Sequence, residues 1–224
     1  SVPLLHDLNS HEGREALSAE RAAPGVLDGV SVMPFRLKPG DETSCRALYK
    51  PQSPRMLGTP EQMVQRGGFV FSATMAGTVE ERANPWLLLE RKFEDGAIPV
   101  IGDESAVKWQ LHLGLGKDFA YTDEGGRTVT LRFVALLQGS MLQSELIVSE
   151  SSFKLLHPSI AGYAFFLIET PPQRELDLAE TLERGLSDFG FDATRASERL
   201  AGYLAVQNTY LTTFQTLGAL GLVL

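Results

Sequence analysis

Four histidines, one cysteine and one serine in a glycine turn are the side chains that could take part in nucleophilic chemistry. The histidines are scattered along the chain, at His6, His11, His112 and His157. No Gly-x-Ser-x-Gly elbow occurs, and nothing around Cys45 indicates an activated thiolate. A catalytic triad can assemble from distant positions. A soluble hydrolase that uses Ser140 or Cys45 with one of the histidines therefore stays an alternative.

Two short motifs resemble a metal site and a phosphate site without completing either. The run His11-Glu12-Gly13-Arg14-Glu15 lacks the second histidine of a zinc-protease helix. The run Gly114-Leu115-Gly116-Lys117 lacks the spacing and the hydroxyl of a phosphate-binding loop. We interpret the first run as solvated polar residues and the second as a tight turn.

Two acid pairs and two tryptophans also attract attention. Glu94-Asp95 and Asp123-Glu124 stand beside glycine, and we interpret them as exposed turn acids, although paired carboxylates can do acid–base work. Trp86 and Trp109 lie on predicted helices and are interpreted as core anchors. The sequence therefore predicts no catalytic, cofactor-binding or metal-binding residue and no enzymatic activity.

Composition limits the class of protein. The 224 residues are 43% hydrophobic, which is enough for a real core. A net charge of -8 and a pI of about 5.1 argue against nucleic acid, because phosphate binding needs a basic surface. The single cysteine permits no intrachain disulfide. Residues 1–9 do not have the pattern of a signal peptide.

The last part of the chain is its most distinctive segment. Residues 200–224 carry no charge, and residues 217–224 are all apolar or glycine. The 3.6-residue period predicts one helix over 196–224 that loses its polar stripe after Thr216. We interpret this helix as a stalk that leads into a transmembrane segment. Residues 210–224 fall short of the roughly 20 apolar residues that span a bilayer, so an amphipathic helix packed on a soluble core stays open.

The remaining pattern alternates strands and helices and predicts an α+β fold with a mixed sheet. Turn glycines at 125 and 126 predict a hairpin between the strands at 119–122 and 128–137. Residues 163–194 are predicted as a strand-helix-strand unit, and residues 38–58 as irregular. The other predicted strands are 2–8, 30–37, 69–73, 98–101 and 146–148, and the predicted helices are 10–17, 60–66, 84–92, 104–113, 149–156 and 173–189.

Several runs resemble the extracytoplasmic core of FtsX/MacB-type ABC transporter permeases. They are Val100-Ile101-Gly102-Asp103, residues 113–118, Tyr121-Thr122-Asp123, residues 129–137 and Glu145-Leu146-Ile147-Val148-Ser149. Residues 206–218 resemble the stalk that leads from such a domain to the next membrane helix. The resemblance covers residues 99–224 and rests on strands and glycines.

The resemblance implies how the chain is organised and what it does. It implies a MacB-like periplasmic core over 1–37 and 97–195 and a stalk helix with the start of a transmembrane segment over 196–224. Residues 38–84 depart from the short linkers that the resemblance implies, so we expect an inserted subdomain over 38–96. The resemblance also implies an extracytoplasmic domain of a permease at the cell inner membrane, and a separate cytoplasmic ATPase subunit that drives movement of the membrane helices. The domain would couple this movement to the handling of a substrate or partner, in a transporter of the efflux or lipoprotein-release type. A lipoprotein, lipid or peptide substrate, a lipid- or acyl-binding module and a homodimer are left open, and no cofactor is expected.

Overall fold

The chain divides into two compact units, Ser1–Phe191 and Asp192–Leu224. The computed structural model describes residues 3–5, 8–10, 25, 27–40, 54–202 and 205. In the second unit, residues 196–202 and residue 205 are helical. Residues 11–17 of the predicted helix at 10–17 lie outside the described residues, as does the predicted stalk beyond residue 205. None of the helices in the described ranges is long and apolar enough to cross a membrane.

The first unit is built on one mixed sheet of eight strands, which confirms the predicted α+β class. The strand order is β3-β6-β4-β7-β2-β1-β8, and β5 pairs with β6. The β2/β7 and β4/β6 pairs are parallel, and the other pairs are antiparallel. The strands are β1 Ser31–Lys38, β2 Arg55–Thr59, β3 Phe71–Thr74, β4 Ile98–Asp103, β5 Asp118–Thr122, β6 Thr128–Leu137, β7 Glu145–Ser149 and β8 Phe165–Glu169.

The helices of this unit are short, and their ends follow local capping rules. Thr78 and Glu81 form a capping box at the start of α2, and the Ser149 hydroxyl accepts the Ser152 N–H at the start of α3. The α-helices are α1 Glu61–Arg66, α2 Val79–Ala83, α3 Glu150–Leu156 and α4 Glu175–Gly185. Residues Pro85–Glu90, Pro172–Arg174 and Ser187–Phe189 form 3₁₀ turns, and Ala106–Gln110 forms a π-type turn.

The period-2 alternation of the central strands buries both faces of the sheet. Leu57, Ile101 and Ile147 belong to the core on one face, together with Trp86. Met56, Val100 and Val148 belong to the core on the other face, where Phe153 of α3 packs. A third cluster joins Val32 of β1 to Leu178, Leu182 and Leu186 at and beyond α4. The sheet therefore carries α3 on the face where Tyr121 of β5 and Phe133 of β6 are also buried.

Several local predictions are confirmed. Strands β5 and β6 form the predicted hairpin, with Gly126 in the left-handed region at φ 78°. Helix α3 begins at its predicted Ser149 cap and ends before His157. Helix α1 ends at Gly67, whose φ of 69° suits glycine.

Other local predictions are wrong. Residues 38–58 are not irregular throughout, because Arg55–Thr59 forms β2 between β1 and β7. Pro54 precedes this strand and does not interrupt it. Residues 191–194 form no strand, so the strand-helix-strand unit is absent, and β8 pairs with β1. The predicted strand at 2–8 is seen, in its described residues, as a single bridge between Leu4 and Tyr163.

Two predicted helices also differ in the structure. The predicted helix at 84–92 is a 3₁₀ turn capped by the Asn84 side chain, and the predicted helix at 104–113 contains a π-type turn. On α4, Leu178 and Leu182 belong to a buried cluster, while Leu176 is 64% exposed. The subdomain over 38–96 stays a prediction, and its described residues supply β2 and β3 to the common sheet.

Candidate functional site

The structure does not bring the nucleophile candidates together in its described part. His6, Cys45 and the run 11–15 lie outside the described residues. Ser140 is buried, and its Oγ accepts the Leu142 N–H at 3.0 Å in the turn after β6. His112 is exposed and has a φ of 54°. Within the described ranges, no histidine is hydrogen-bonded to Ser140.

The glycine run and one tryptophan behave as the sequence predicts. Lys117 donates its N–H to the Gly114 carbonyl at 3.2 Å, so residues 114–117 form a tight turn. Trp86 is fully buried and donates its indole N–H to the Gly68 carbonyl at 2.9 Å. Trp109 was expected in the core, but it is 76% exposed. The π-type turn at 106–110 buries Val107 and points Trp109 to solvent.

The first acid pair contributes Asp95 to an ion-pair cluster. Arg132 of β6 donates to Asp95 at 2.7 Å and to Asp118 at 2.7 Å, and its guanidinium lies 4.7 Å from the centre of the Phe93 ring. The hydrogen bonds from Arg132 lower the pKa of both carboxyl groups. These charges hold the segment before β4 against the hairpin.

The second acid pair closes the hairpin turn, where Glu124 is exposed as predicted and Asp123 is buried. Asp123 has a side chain that is only 2% exposed, and it accepts the backbone N–H and the guanidinium of Arg127, each at 2.8 Å. Glu124 accepts the Ser159 N–H at 3.1 Å. Hydrogen bonds lower the pKa of both acids, chiefly from the Arg127 backbone at Asp123 and from the Ser159 side chain at Glu124.

Tyr121 and His157 form a buried polar pair beneath this turn. Tyr121 Oη and His157 Nε2 lie 2.7 Å apart and share a hydrogen bond, and the two residues are 3% and 4% exposed. Phe153 lies against the imidazole with a ring separation of 5.4 Å. Burial lowers the pKa of His157 below its ordinary value of 6.5, and Lys38 adds to this effect.

An open groove separates the hairpin from α3, and we take it as the candidate functional site. We call it the hairpin groove; its volume is about 420 Å³. Its apolar lining comes from Ile98, Val129, Leu155 and Leu156, and its polar lining includes Asp95, Asp123 and Arg127. Leu155 is 63% exposed. An apolar floor with a charged rim suits a small amphipathic ligand.

Sequence reasoning missed the Tyr121–His157 pair. Each residue sits at the end of its own regular element, and 36 positions separate them. No motif spacing signals such a contact. The sequence does show a histidine directly after a capped helix, but this signal points to His157 alone and not to its partner.

Among the residues that the structure describes, no group of three or more histidine, cysteine, aspartate or glutamate side chains could hold a metal ion.

Comparisons with solved structures find several similar chains. The fold is similar to the extracellular domain of the noncanonic ABC-type transporter YknZ from Gram-positive bacteria, over 87% of this chain and 94% of that chain. The identity is 14% and the TM-score is 0.39. The matched protein is of the general class that the sequence resembles, an ABC transporter, and the FtsX/MacB type stays a prediction. No family model and no curated protein sequence matches this chain.

Proposed function

We propose that this chain is an extracytoplasmic, periplasmic domain of an ABC transporter permease subunit at the cell inner membrane. It couples movement of membrane helices to the handling of a substrate or partner outside the cytoplasm, in efflux or lipoprotein release. A separate cytoplasmic ATPase subunit supplies the movement. The domain acts by conformational coupling and not by catalysis.

The observation that carries the proposal is the composition of residues 200–224. These residues include no charged side chain, in a chain whose overall charged content is 21%. Such a segment suits a bilayer or a large apolar core. A helix over 196–224 would be roughly 40 Å long at about 1.5 Å per residue. A hydrogen-bonded rod of this length can transmit displacement from a bilayer to a folded domain.

The proposal extends to the organisation of the chain and its contacts. Residues 1–37 and 97–195 form the core that faces away from the cytoplasm, residues 38–96 form a subdomain within it, and residues 196–224 join the core to the membrane. Two copies of the permease would pair in the assembled transporter. A lipoprotein, a lipid or a peptide is the substrate that such a domain would meet.

The test is accessibility labelling of the natural full-length protein in intact cells. Cys45→Ser removes the only cysteine of this sequence, and Lys92→Cys places a new one at an exposed position. We expect a membrane-impermeant maleimide to label Lys92→Cys in intact cells as fully as after permeabilisation. The protein should also stay in the membrane fraction. Labelling that requires permeabilisation, or recovery in the soluble fraction, would refute the proposal.

A second candidate function rests on the hairpin groove. Its four apolar side chains could receive an acyl chain or another lipid segment, and this role is compatible with the first. Native mass spectrometry of the purified domain would then show a copurified lipid. Addition of acyl ligands would raise the melting temperature, and Leu155→Asp would abolish the shift. No bound lipid together with no thermal shift would exclude this function.

A further inference from the structure

Three contacts join the two walls of the hairpin groove, and we call them together the latch. The first is the Tyr121–His157 hydrogen bond. In the second, Glu124 donates its N–H to the Leu156 carbonyl at 3.0 Å. In the third, Ser159 donates its N–H to the Glu124 carboxylate at 3.1 Å. Tyr121 and Glu124 belong to the hairpin, and the other partners belong to the end of α3 and the residues after it.

We propose that the latch is sensitive to protons, so that protonation of His157 releases the hairpin turn from the end of α3 and widens the hairpin groove. The device belongs to the folded domain itself and does not depend on the proposed membrane role. It gives the groove a narrower form near neutral pH and a wider form under mild acid.

The first reason lies in the hydrogen bond itself. One proton lies between Tyr121 Oη and neutral His157 Nε2, and it satisfies both atoms at 2.7 Å. With Tyr121 Oη as the donor to unprotonated Nε2, a second proton on the imidazole reverses the donation and turns the tyrosyl hydrogen away from the line between the two atoms. The same step places a full charge on a residue that is 4% exposed. Both consequences favour a form in which His157 reaches water.

The charged and titratable groups around His157 offset this charge only in part. Tyr121 faces it from β5, Asp123 and Glu124 face it from the turn, and Lys38 faces it from β1. The two acids favour the imidazolium, but each is already engaged, Asp123 by Arg127 and Glu124 by Ser159. Lys38 opposes the imidazolium, and the aromatic ring of Phe153 supplies no counter-charge.

The latch also sets the separation of the groove walls. Asp123 and Arg127 line the groove from the turn, and Leu155 and Leu156 line it from α3. The Glu124–Leu156 hydrogen bond ties these two sets together at their shared end. Once that bond opens, the buried Leu156 and the half-buried Val129 become accessible to a ligand. Mild acid therefore exposes the apolar floor.

Amide hydrogen exchange followed by NMR tests the proposal on the purified domain. Rates are compared at about pH 7.5 and about pH 5 after correction for intrinsic exchange, a range that spans the titration of histidine. We expect the Glu124 amide to exchange about tenfold faster at the lower pH, since one linked proton changes an equilibrium up to about tenfold per pH unit. The Ile147 amide, in the sheet centre, should not change. Equal rates at Glu124 would overturn the proposal.

Two variants and one titration complete the test. His157→Gln keeps hydrogen-bonding groups without titrating in this range, so it should abolish the acceleration. His112→Asn removes an exposed histidine at a φ that asparagine tolerates, so it should keep the acceleration. An acceleration that survives in His157→Gln would refute the latch. If that variant fails to fold, an NMR titration of the His157 imidazole in the wild-type domain is the deciding measurement. A His157 pKa at or above 6.5 contradicts the proposal.

Discussion

Gly58 is the position where a single methyl group should disturb the packing of α3 on the sheet. It lies in β2 between Arg36 of β1 and Val148 of β7. A Cβ at this position would lie 2.7 Å from the Phe153 Cβ and 2.8 Å from its Cγ. Phe153 is fully buried, so the ring cannot simply swing into solvent. Gly58→Ala must therefore shift α3 or the strand.

Overpacking of this kind destabilises a core by about 1–3 kcal/mol. Urea denaturation followed by far-UV circular dichroism measures it. For a loss of about 2 kcal/mol and a slope of about 2–3 kcal/mol per molar urea, the midpoint should fall by roughly 0.7–1 M. Gly114→Ala is the matched control, because its Cβ would meet no atom within 4 Å and its φ is not positive. That control should stay within about 0.5 kcal/mol of wild type.

A double-mutant cycle separates this contact from a general intolerance of β2. Phe153→Ala removes Cγ and the ring next to residue 58 and by itself destabilises through lost burial. In the double variant, Gly58→Ala should be less destabilising than it is alone, because only the Phe153 Cβ of the crowded atoms is left. If Gly58→Ala matches Gly114→Ala, or if the two changes are additive, the close approach does not control the stability of this site.

Two further predictions concern solvent access and acid. Acrylamide should quench the fluorescence of the exposed Trp109 and spare that of the buried Trp86. Trp109→Phe should therefore remove most of the quenchable fluorescence. Unchanged quenching in this variant would contradict the exposed position of Trp109 in the π-type turn. The hydrogen bond from Arg91 lowers the Glu81 pKa from 4.5 to about 2. The contribution of Glu81 to the free energy of unfolding is therefore complete above pH 4.5 and is lost as the pH falls toward 2. NMR titration of Glu81 should show that low midpoint, and Arg91→Gln should raise it toward 4.5; a midpoint unaffected by Arg91→Gln would refute the assignment.

Features set by neighbouring residues could be predicted from the sequence alone. The β5–β6 hairpin follows from alternation on both sides of a glycine turn, and both of its strands lie where the pattern places them. The start of α3 follows from Ser149, whose hydroxyl accepts the Ser152 N–H. The fold class follows from the mixture of such segments. These features depend on hydrogen bonds and side-chain periods within a few residues, so a local pattern is sufficient to reveal them.

Only the tertiary structure decided the features that depend on distant partners. Strand β2 exists because Arg55–Thr59 pairs with β7, some 90 positions later, and no local pattern reveals that partner. Trp109 faces solvent because the π-type turn sets its direction. The Tyr121–His157 pair forms because the sheet brings the hairpin beneath the end of α3. For β2 and for the Tyr121–His157 pair, the stabilisation comes from contact between segments far apart in the chain, and a sequence pattern does not record which segments meet.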